Sequence, residues 1–414
     1  MHNSDGSHTA VRPRTAMMTR GFDPALSFGS VRPAVFRSST YCFSSPEEAE
    51  RAFAIMSGRE PRDHGARPAL IYSRFSHPNA EILEDQIVPL EPGAQAAAVF
   101  NSGMAAIMSA IVAAARPGAT IVYTTPLYGG TTGLIHSFLE PFGMKGVPVP
   151  SGDSDAIEQA IRSAPELGIV FLETPANPTM RMTDIRRAAS AAKSHKDRPV
   201  VMVDNTFLGP AFQHPLLHGA DLVLYSATKY LSGNSDMVAG VALSADPDLM
   251  RKVLAKRGMF GNILQPDECW MLHSRLPTVS LRMNRQSKSA QRLAEALHGH
   301  KKIKMLYPTL FEDAEQRRIF ETQCRYPGGI FSLDFHGGKQ PAFDFLRRLE
   351  IGRNAVSLGG VETLVCHPRS TTHSGMSVRE LDEAGIGEGM VRVSVGIEDW
   401  RDLLADFEQA LDTA

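Results

Sequence analysis

Short apolar runs alternate with helical stretches from about residue 97 to residue 243. The runs have the length of buried strands, and most are separated by stretches with the apolar spacing of helices. Strands are predicted at residues 97–100, 121–124, 169–172, 200–203, 222–225 and 238–243, with helices for example at 104–115 and 185–196. The first of these helices ends at Arg116-Pro117-Gly118, which is a stop signal. The alternation predicts an α/β fold in which helices cover a mostly parallel sheet.

Both flanks of this region have a different pattern. Before residue 65 the periodicity is weak, and a short helix at 47–56 is predicted after Ser45-Pro46. After Leu276-Pro277 the pattern predicts a long helix at 280–299, strands at 330–335 and 391–395, and helices at 342–349 and 399–411. We therefore predict an N-terminal arm (1–75), an α/β domain (76–275) and a smaller C-terminal α+β domain (276–414). We expect the arm to pack on another part of the molecule or on a partner subunit.

Composition narrows the class of protein. The chain has 414 residues, of which 43% are hydrophobic, and its formal net charge is -2. These values are ordinary for a globular protein and give no support for a nucleic-acid or acidic-membrane partner. The four cysteines lie far apart without a CxxC pair, so we expect reduced thiols in an intracellular compartment and no metal site. They are Cys42, Cys269, Cys324 and Cys366.

The N-terminus is basic rather than apolar. It contains His2, His8, Arg12, Arg14 and Arg20 among small polar residues, without the apolar core of a signal peptide. No apolar run in the chain reaches membrane-spanning length. We therefore expect a flexible arm on a cytoplasmic protein that has no membrane partner.

A single lysine, Lys229, closely follows the predicted strand at 222–225. Ligands of α/β sheets bind at the carboxyl ends of the strands. A lysine is costly to bury there unless its amine has a chemical role, such as forming a Schiff base with an aldehyde cofactor or a carbonyl substrate. The alternative is an ordinary lysine that extends to solvent, which we favour when Lys229 is considered alone.

Two other strand ends carry groups that suit a charged cofactor. Ser102-Gly103-Met104 ends one strand and opens a helix, so its backbone N–H groups are available to an anion, although a simple helix cap is an equal alternative. Asp204 ends another strand, where a buried carboxylate needs a partner. A protonated pyridine nitrogen is a fitting partner. A helix cap or an ion pair with an arginine remains the alternative.

Tyrosine and asparagine follow two further strands. Tyr128, beside Gly129-Gly130, would lie flat over a ring with its hydroxyl free for proton transfer. Asn177 lies between two prolines that rigidify its loop, and its amide suits a ring hydroxyl. Each feature alone is also compatible with an ordinary turn. Their occurrence at successive strand ends favours one common cofactor site.

Together these motifs resemble the Cys/Met-metabolism (trans-sulfuration) family of pyridoxal-phosphate enzymes. That family includes cystathionine γ-synthases, cystathionine lyases, methionine γ-lyases and O-acyl-homoserine sulfhydrylases. The similarity extends from about Gly21 to the end of the chain. The motifs are LYGGT at 127–131, ETPANP at 173–178, DNTF at 204–207, YSATKYLSG at 225–233, SLGG at 357–360 and VRVSVGIED at 391–399.

The resemblance implies fold type I, pyridoxal 5′-phosphate as cofactor, and a homotetramer of catalytic dimers. It implies that Lys229 forms the Schiff base, Asp204 pairs with the pyridine nitrogen, and Tyr128 stacks on the ring. Asn177 would bind the cofactor hydroxyl, and Thr206 would pack near the opposite ring face. The residues implied to hold the phosphate are Gly103, Met104, Ser226 and Thr228, with Tyr72 and Arg74 from the neighbouring subunit. For the α-carboxylate of the substrate they are Arg392 and Ser357, since the arginine fork suits a carboxylate.

Several positions depart from the family pattern. Gly130 replaces the cysteine of methionine γ-lyases, and residues 256–260 lack the Lys-Asp pair of those lyases, so a dedicated methionine γ-lyase is not favoured. Val356 replaces the glutamate of members that handle cystathionine, which puts cystathionine in doubt. Asn234 and Arg369 are also unusual. Arg369 is expected either to face the substrate or to form a surface salt bridge.

The resemblance therefore implies γ-elimination or γ-replacement on an O- or S-substituted homoserine-type amino acid. Lys229 would move the Cα proton, and Tyr128 or Lys229 would protonate the leaving group. A canavanine-like substrate fits the same chemistry. The alternatives are a cystathionine γ-synthase or lyase, an O-acyl-homoserine sulfhydrylase proper, and a fold-type I aminotransferase. A non-enzymatic relative is disfavoured because the chemical groups are all present.

Overall fold

A computed structural model describes residues 11–61 and 70–413. The predictions for His2 and His8 lie outside the described residues. The helices are α1 (Pro13–Thr19), α2 (Pro46–Met56), α3 (Pro78–Ile87), α4 (Gly103–Ala114), α5 (Gly129–Leu134), α6 (Ser154–Ser163), α7 (Ile185–Ser194), α8 (Pro247–Phe260), α9 (Pro266–Arg275), α10 (Val279–Leu297), α11 (Ala314–Gln323), α12 (Lys339–Arg348), α13 (Val378–Glu383) and α14 (Trp400–Thr413). Within these described ranges, no helix is both long and apolar enough to cross a membrane.

A seven-stranded sheet forms the centre of the larger part of the molecule. Its strands are β1 (Ala96–Phe100), β2 (Thr120–Thr125), β3 (Lys145–Pro150), β4 (Leu167–Glu173), β5 (Val200–Asp204), β6 (Leu222–Ser226) and β7 (Gly240–Ser244). Their order is β1-β7-β6-β5-β4-β2-β3. β7 runs antiparallel to β1 and β6, and the other pairs are parallel. The predicted mostly parallel sheet is therefore confirmed.

The predicted strands missed β3, which contains Pro148 and Pro150. Proline cannot donate a backbone hydrogen bond, so a proline-containing segment is rarely a central strand. β3 lies at the edge of the sheet and pairs with β2 alone. Its other side therefore needs no backbone N–H donors for a neighbouring strand. The pairing partner, rather than the local sequence, makes this segment a strand.

Helices cover both faces of the large sheet. Side chains of β4 alternate, with Ile169 and Phe171 packing on one face against α4 and α8. Val170 and Leu172 pack on the other face against α6 and α7. This alternation between two apolar layers is why the strands of the central sheet are apolar throughout, as parallel strands buried on both faces are expected to be.

The N-terminal arm packs on its own chain. Met17 of α1 is 2% exposed and lies in the main core cluster. Trp270 of α9 donates its indole N–H to the carbonyl oxygen of Pro33 at 2.9 Å, and Arg37 Nε donates to Asp267 Oδ2 at 2.9 Å. The residues from Arg12 to Arg20 therefore include a packed helix rather than only a flexible arm. The predicted short helix after Ser45-Pro46 is also present as α2.

A five-stranded sheet forms the C-terminal part. Its strands are β8 (Ile303–Leu306), β9 (Ile330–Phe335), β10 (Arg353–Asn354), β11 (Leu364–Cys366) and β12 (Met390–Ser394), in the order β10-β11-β12-β9-β8. Residues of α10, α12 and α14 pack in one apolar cluster with this sheet. Two separate sheets agree with the α/β and α+β parts expected from the sequence, whereas the exact domain limits stay predictions.

A buried arginine joins four segments of the larger part. Arg257 of α8 is 2% exposed and forms an ion pair with Glu84 of α3. It also donates to the carbonyl oxygens of Val99 in β1, at 2.9 Å, and of Phe75, at 3.1 Å. A buried charge is tolerated only when it is paired and hydrogen-bonded in this way. Arg257 thereby holds the segment around Phe75 on the sheet.

Arg257→Ala should lower the free energy of unfolding by about 3–5 kcal/mol, because Glu84 and two carbonyl oxygens would lose their partner. Arg251→Ala on the same helix is the control, since Arg251 pairs with Asp248 while both side chains are well exposed. That control should change stability by less than about 0.5 kcal/mol. Urea titration followed by circular dichroism measures both, and equal effects would contradict the role of Arg257.

Candidate active site

Polar residues converge at the carboxyl ends of β4, β5 and β6. Glu173, Asp204 and Ser226 are the last residues of these strands. Glu173 is paired with Asp204 in the sheet register, and Asp204 is paired with Leu224. Parallel strands bring their carboxyl ends to one edge of a sheet, so residues distant in sequence become neighbours. The predicted positions Thr206 and Lys229 follow directly on the same edge.

Lys229 is held against a loop of the C-terminal part. Its Nζ donates to Ser357 Oγ at 2.9 Å. Burial lowers the pKa of Lys229 to about 8, and the positive charge of Arg392 adds to this shift. Gly359 has a φ of +76°, and a Cβ there would lie 2.7 Å from the backbone N of Tyr230. Only glycine allows the loop to approach the lysine segment this closely.

Arg392 of β12 is the second buried cation of the site. It is 2% exposed, and its Nη2 donates to the carbonyl oxygen of Ser357 at 2.7 Å. Its Nη1 donates to Asn177 Oδ1 at 3.1 Å, and its Nε is buried with no hydrogen-bond partner among the described residues. Ser357 has a φ of +90°, a strained conformation for a residue other than glycine. A buried guanidinium with a free donor suits an anionic ligand.

Asp204 is oriented by the residue two positions later. Its Oδ1 accepts from the Thr206 N–H at 3.0 Å and from Thr206 Oγ1 at 2.6 Å. Thr206 Oγ1 also accepts from the Ser226 N–H at 2.9 Å, which ties β5 to β6. Burial raises the pKa of Asp204, so a cation beside it would stabilise its charged form.

A glycine-lined turn forms the N-terminus of α4. Ser102 caps this helix by accepting from the Ala105 N–H at 3.0 Å. A Cβ on Gly103 would lie 3.1 Å from Ser226 Cα, and one on Gly240 would lie 2.1 Å from the Ser102 carbonyl oxygen. Both glycines are therefore needed for the turn to approach β6 and β7. Gly103 lies beside Ser226, and Gly103 and Met104 are the first residues of the helix, where backbone N–H groups lack partners within the helix.

The predicted phosphate ligand Thr228 makes backbone contacts in this structure. Its Oγ1 donates to the Ala239 carbonyl oxygen at 3.2 Å and accepts from the Ala239 N–H at 3.0 Å. The hydroxyl proton is thus already bonded, although the oxygen lies at the same strand edge as Ser226. Thr228 also fixes the segment that leads into β7.

Glu173 links the Tyr128 turn to the Asn177 loop. Its Oε2 accepts from the Tyr128 N–H at 2.8 Å, and its Oε1 accepts from the Asn177 N–H at 3.2 Å. Burial raises the pKa of Glu173 to about 8, with the charge of Asp204 adding to the shift. The sequence alone assigned no role to Glu173. Its position at the end of an apolar run was the available signal, because a buried carboxylate needs partners.

Tyr72 and Arg74 lie outside the group of residues around Lys229. Tyr72 forms a β-bridge with Thr40, and the Arg74 guanidinium lies 4.6 Å from the centroid of the Phe75 ring and donates to the Gly258 carbonyl oxygen. Both side chains are exposed. Among the contacts of the described residues, neither touches the groups around Lys229.

Arg369, Val356 and Asn234 also depart from the family pattern. Arg369 forms ion pairs, whereas Val356 and Asn234 are exposed. Arg369 is 9% exposed by its side chain and pairs with Asp382 at 2.7 Å and Glu388 at 3.0 Å. The salt-bridge alternative therefore describes Arg369 in this structure. Val356 is 53% exposed and Asn234 is exposed. Neither Val356 nor Asn234 is held in the core.

The family model for the Cys/Met metabolism PLP-dependent enzymes matches residues 14–412. The chain belongs to this family. The resemblance read from the sequence is confirmed, and with it fold type I and pyridoxal phosphate as the cofactor. The protein is an enzyme, a pyridoxal-phosphate-dependent lyase or transferase of Cys/Met metabolism.

Relatives of this family enzyme cover nearly its whole length. An L-methionine gamma-lyase of Pseudomonas putida is 36% identical over 98% of this chain and 98% of its own. A cystathionine gamma-lyase of Bacillus subtilis is 34% identical over 97% of this chain and 100% of its own. The solved structure of cystathionine gamma synthase from Xanthomonas oryzae pv. oryzae in complex with cystathionine has a TM-score of 0.88 and 30% identity, covering 98% of this chain and 99% of that one.

The residues present fit pyridoxal phosphate. Asp204 is a carboxylate whose charged form is disfavoured until a cation approaches, as a protonated ring nitrogen would. Helix α4 begins at Gly103 beside Ser226, so its first N–H groups suit an anion. Arg392 Nε remains free for a second anion. These three features suit the ring nitrogen, the phosphate and a substrate carboxylate.

The rate at which cofactor-free enzyme binds pyridoxal phosphate should rise about ten-fold from about pH 7 to about pH 9. The neutral Lys229 amine is the form that reacts with the aldehyde, and its fraction increases as the pH rises through the pKa of about 8. Stopped-flow absorbance of the bound cofactor measures this rate, with Lys229→Ala as the control that forms no covalent bond. A midpoint near 10.5, the ordinary lysine value, would contradict the lowered pKa.

Proposed function

We propose that the enzyme catalyses γ-elimination or γ-replacement on an O- or S-substituted homoserine-type amino acid. The observation that carries the proposal is the contact of Lys229 Nζ with Ser357 Oγ beside the buried Arg392. A base of lowered pKa next to a free guanidinium donor suits an α-amino acid, because the carboxylate orients the Cα proton toward the amine. Family membership supports the same class of reaction.

The cofactor contacts are assigned by position. Lys229 would hold the aldehyde carbon, Asp204 the ring nitrogen, and Asn177 the ring hydroxyl. Tyr128 would stack on one ring face, and Thr206 would lie near the other. The phosphate would be held by Ser226, Thr228 and the backbone of Gly103 and Met104, with Tyr72 and Arg74 of a neighbouring subunit. When bound, pyridoxal phosphate supplies an electron sink for the electrons released at Cα.

The chain's own groups move the protons. Arg392 and Ser357 bind the carboxylate and fix Cα relative to the Lys229 amine. The neutral amine accepts the Cα proton, which the lowered pKa favours near neutral pH. A second proton would leave Cβ for the Lys229 amine once the amine has released the Cα proton, and the Tyr128 hydroxyl or the Lys229 ammonium would donate a proton to the departing Cγ substituent. Addition of a nucleophile at Cγ gives replacement, and hydrolysis gives a 2-oxo acid and ammonia.

Among the described residues, neither Val356 nor Arg369 offers a free charge for the distal end of the substrate. Val356 precedes the carboxylate-binding Ser357 and is exposed, whereas Arg369 is committed to Asp382 and Glu388. An uncharged side chain at position 356 favours a neutral leaving group over the distal ammonium of cystathionine. Homoserine esters therefore fit best, and canavanine-like compounds remain within the same chemistry.

Gly130 supports separating this enzyme from dedicated methionine γ-lyases. A Cβ at this position would lie 2.6 Å from Tyr128 Cε1 and 3.1 Å from Met104 Sδ. Any side chain there would require the tyrosine ring to move, so the cysteine of those lyases is incompatible with this Tyr128 position. The name methionine gamma-lyase belongs to relatives that share 36% of aligned residues.

A panel of homoserine esters, methionine, homocysteine, cystathionine and canavanine tests the proposed reaction. We expect 2-oxo acid or a thiol-dependent product from a homoserine ester, with a kcat/KM at least about ten-fold above that for cystathionine. Val356→Glu should reduce this preference about ten-fold by supplying a carboxylate. Conversion of the cofactor to its amine form without keto acid would instead indicate an aminotransferase. Absence of every product would also contradict the proposal.

We also propose that the active site is shared between subunits of a homotetramer in the cytoplasm. The support is that Tyr72 and Arg74 are exposed and apart from the Lys229 site in their own chain. Exposed aromatic and basic side chains on a well-anchored segment suit contact with a partner. Two hydrogen bonds anchor this segment to α8, one from Arg257 to the Phe75 carbonyl oxygen and one from Arg74 to the Gly258 carbonyl oxygen.

Arg74→Ala should weaken binding of pyridoxal phosphate about ten-fold or more without unfolding the chain, because a charge-assisted contact to phosphate is lost. Arg37→Ala is the control, since Arg37 is an exposed arm residue that pairs within its own chain. Fluorescence titration of cofactor-free protein measures the affinity. Mixed oligomers of Lys229→Ala and Arg74→Ala subunits should regain activity if the site is shared, and no recovery would contradict sharing.

A further inference from the structure

Glu173 is a buried carboxylate that the reaction proposed above does not use. It is 5% exposed and ends β4, beside Asp204 at the end of β5. Its two oxygens are divided between two loops, with the Tyr128 N–H at 2.8 Å and the Asn177 N–H at 3.2 Å. Its own N–H donates to Thr124 Oγ1 at 3.1 Å, which fixes the backbone from which the carboxylate extends.

The two loops carry different functional side chains. Tyr128 precedes α5, and its carbonyl oxygen accepts from the N–H groups of Thr131 at 2.8 Å and Thr132 at 3.1 Å at the start of that helix. Asn177 presents its side-chain oxygen to Arg392 at 3.1 Å. The carboxylate of Glu173 therefore links the tyrosine turn directly, by hydrogen bonds, to the loop that contacts Arg392.

The ionised carboxylate is the form that suits this arrangement. An ionised carboxylate accepts with both oxygens, whereas a protonated acid or an amide presents a donor on one side. Burial and the charge of Asp204 raise the pKa of Glu173 to about 8, whereas its two N–H partners and the charge of Arg392 lower it. A cation paired with Asp204 would offset the repulsion between the two carboxylates.

We propose that Glu173 is a positioning residue that sets the separation of Tyr128 and Asn177, and so the placement of the cofactor ring between them. The proposal rests on the cofactor contacts assigned above to these two residues. Glu173 itself touches neither substrate nor cofactor. It acts by holding two backbone N–H groups with one rigid pair of oxygens, so the tyrosine ring and the asparagine amide keep a fixed spacing.

Glu173→Gln is the informative variant, because glutamine keeps the shape but can accept only one of the two N–H groups. Asp221→Asn is the matched control. Asp221 is also a partly buried carboxylate of the same sheet and accepts from the Val201 N–H at 2.8 Å, but it precedes β6 and so lies at the opposite end of the strands. Glu173→Asp is a second variant that keeps the charge, while its side chain is too short to reach both N–H groups.

Amide hydrogen exchange of the holoenzyme should be about ten-fold faster in the peptides containing Tyr128 and Asn177 in Glu173→Gln. The visible circular dichroism of the bound cofactor should change, since it reports ring orientation, and the cofactor dissociation constant should rise about ten-fold. Glu173→Asp should change the same three measurements in the same direction. Asp221→Asn should leave all three as in the unmodified enzyme.

Unchanged exchange in both peptides would overturn the proposal. Faster exchange with an unchanged dichroism band and cofactor affinity would overturn it as well, because the link would then be structural only. Equal effects of Glu173→Gln and Asp221→Asn would also overturn the proposal. None of these measurements contains an amino-acid substrate, so an error in the proposed reaction would leave them unaffected.

Discussion

The buried amine of Lys229 is the constraint on which the rest of the site depends. It lies at the end of β6 in the large sheet, yet its hydrogen-bond partner Ser357 comes from the C-terminal part of the chain. Burial and the neighbouring Arg392 both disfavour its charged form. The loop of the C-terminal part must therefore approach the lysine segment closely for the pKa of the amine to fall to about 8, and Gly359 allows that approach.

The two carboxylates of the site and its arginine come from different sheets. The carboxylates Asp204 and Glu173 end strands of the large sheet, and the cation Arg392 lies on β12 of the smaller one. A cofactor with a cationic ring nitrogen would face the first group, and a substrate carboxylate would face the second. Asn177 lies between them and contacts Arg392, so the two halves of the site are connected by hydrogen bonds.

Selectivity for the substrate is expected to depend on residues that surround these charged groups. The relatives include enzymes named for methionine and for cystathionine, which have nearly the same length as this chain. In the proposed reaction, the groups around Lys229 and Arg392 would bind only the α-amino acid end, so they would not distinguish these substrates. Gly130 and Val356 are the positions that differ near Tyr128 and Ser357, so they are where the leaving group is expected to be recognised.

The sequence by itself determined most of the large sheet and the family to which the chain belongs. Apolar runs that end in Asp204 or lead to Lys229 are visible locally, because burial and strand ends leave a pattern in consecutive residues. Tertiary structure decided what depends on distant partners. β3 is a strand because β2 pairs with it, and Arg369 is an ion-pair residue because Asp382 and Glu388 approach it. Glu173 joins two loops for the same reason, since its hydrogen bonds depend on where the chain brings Tyr128.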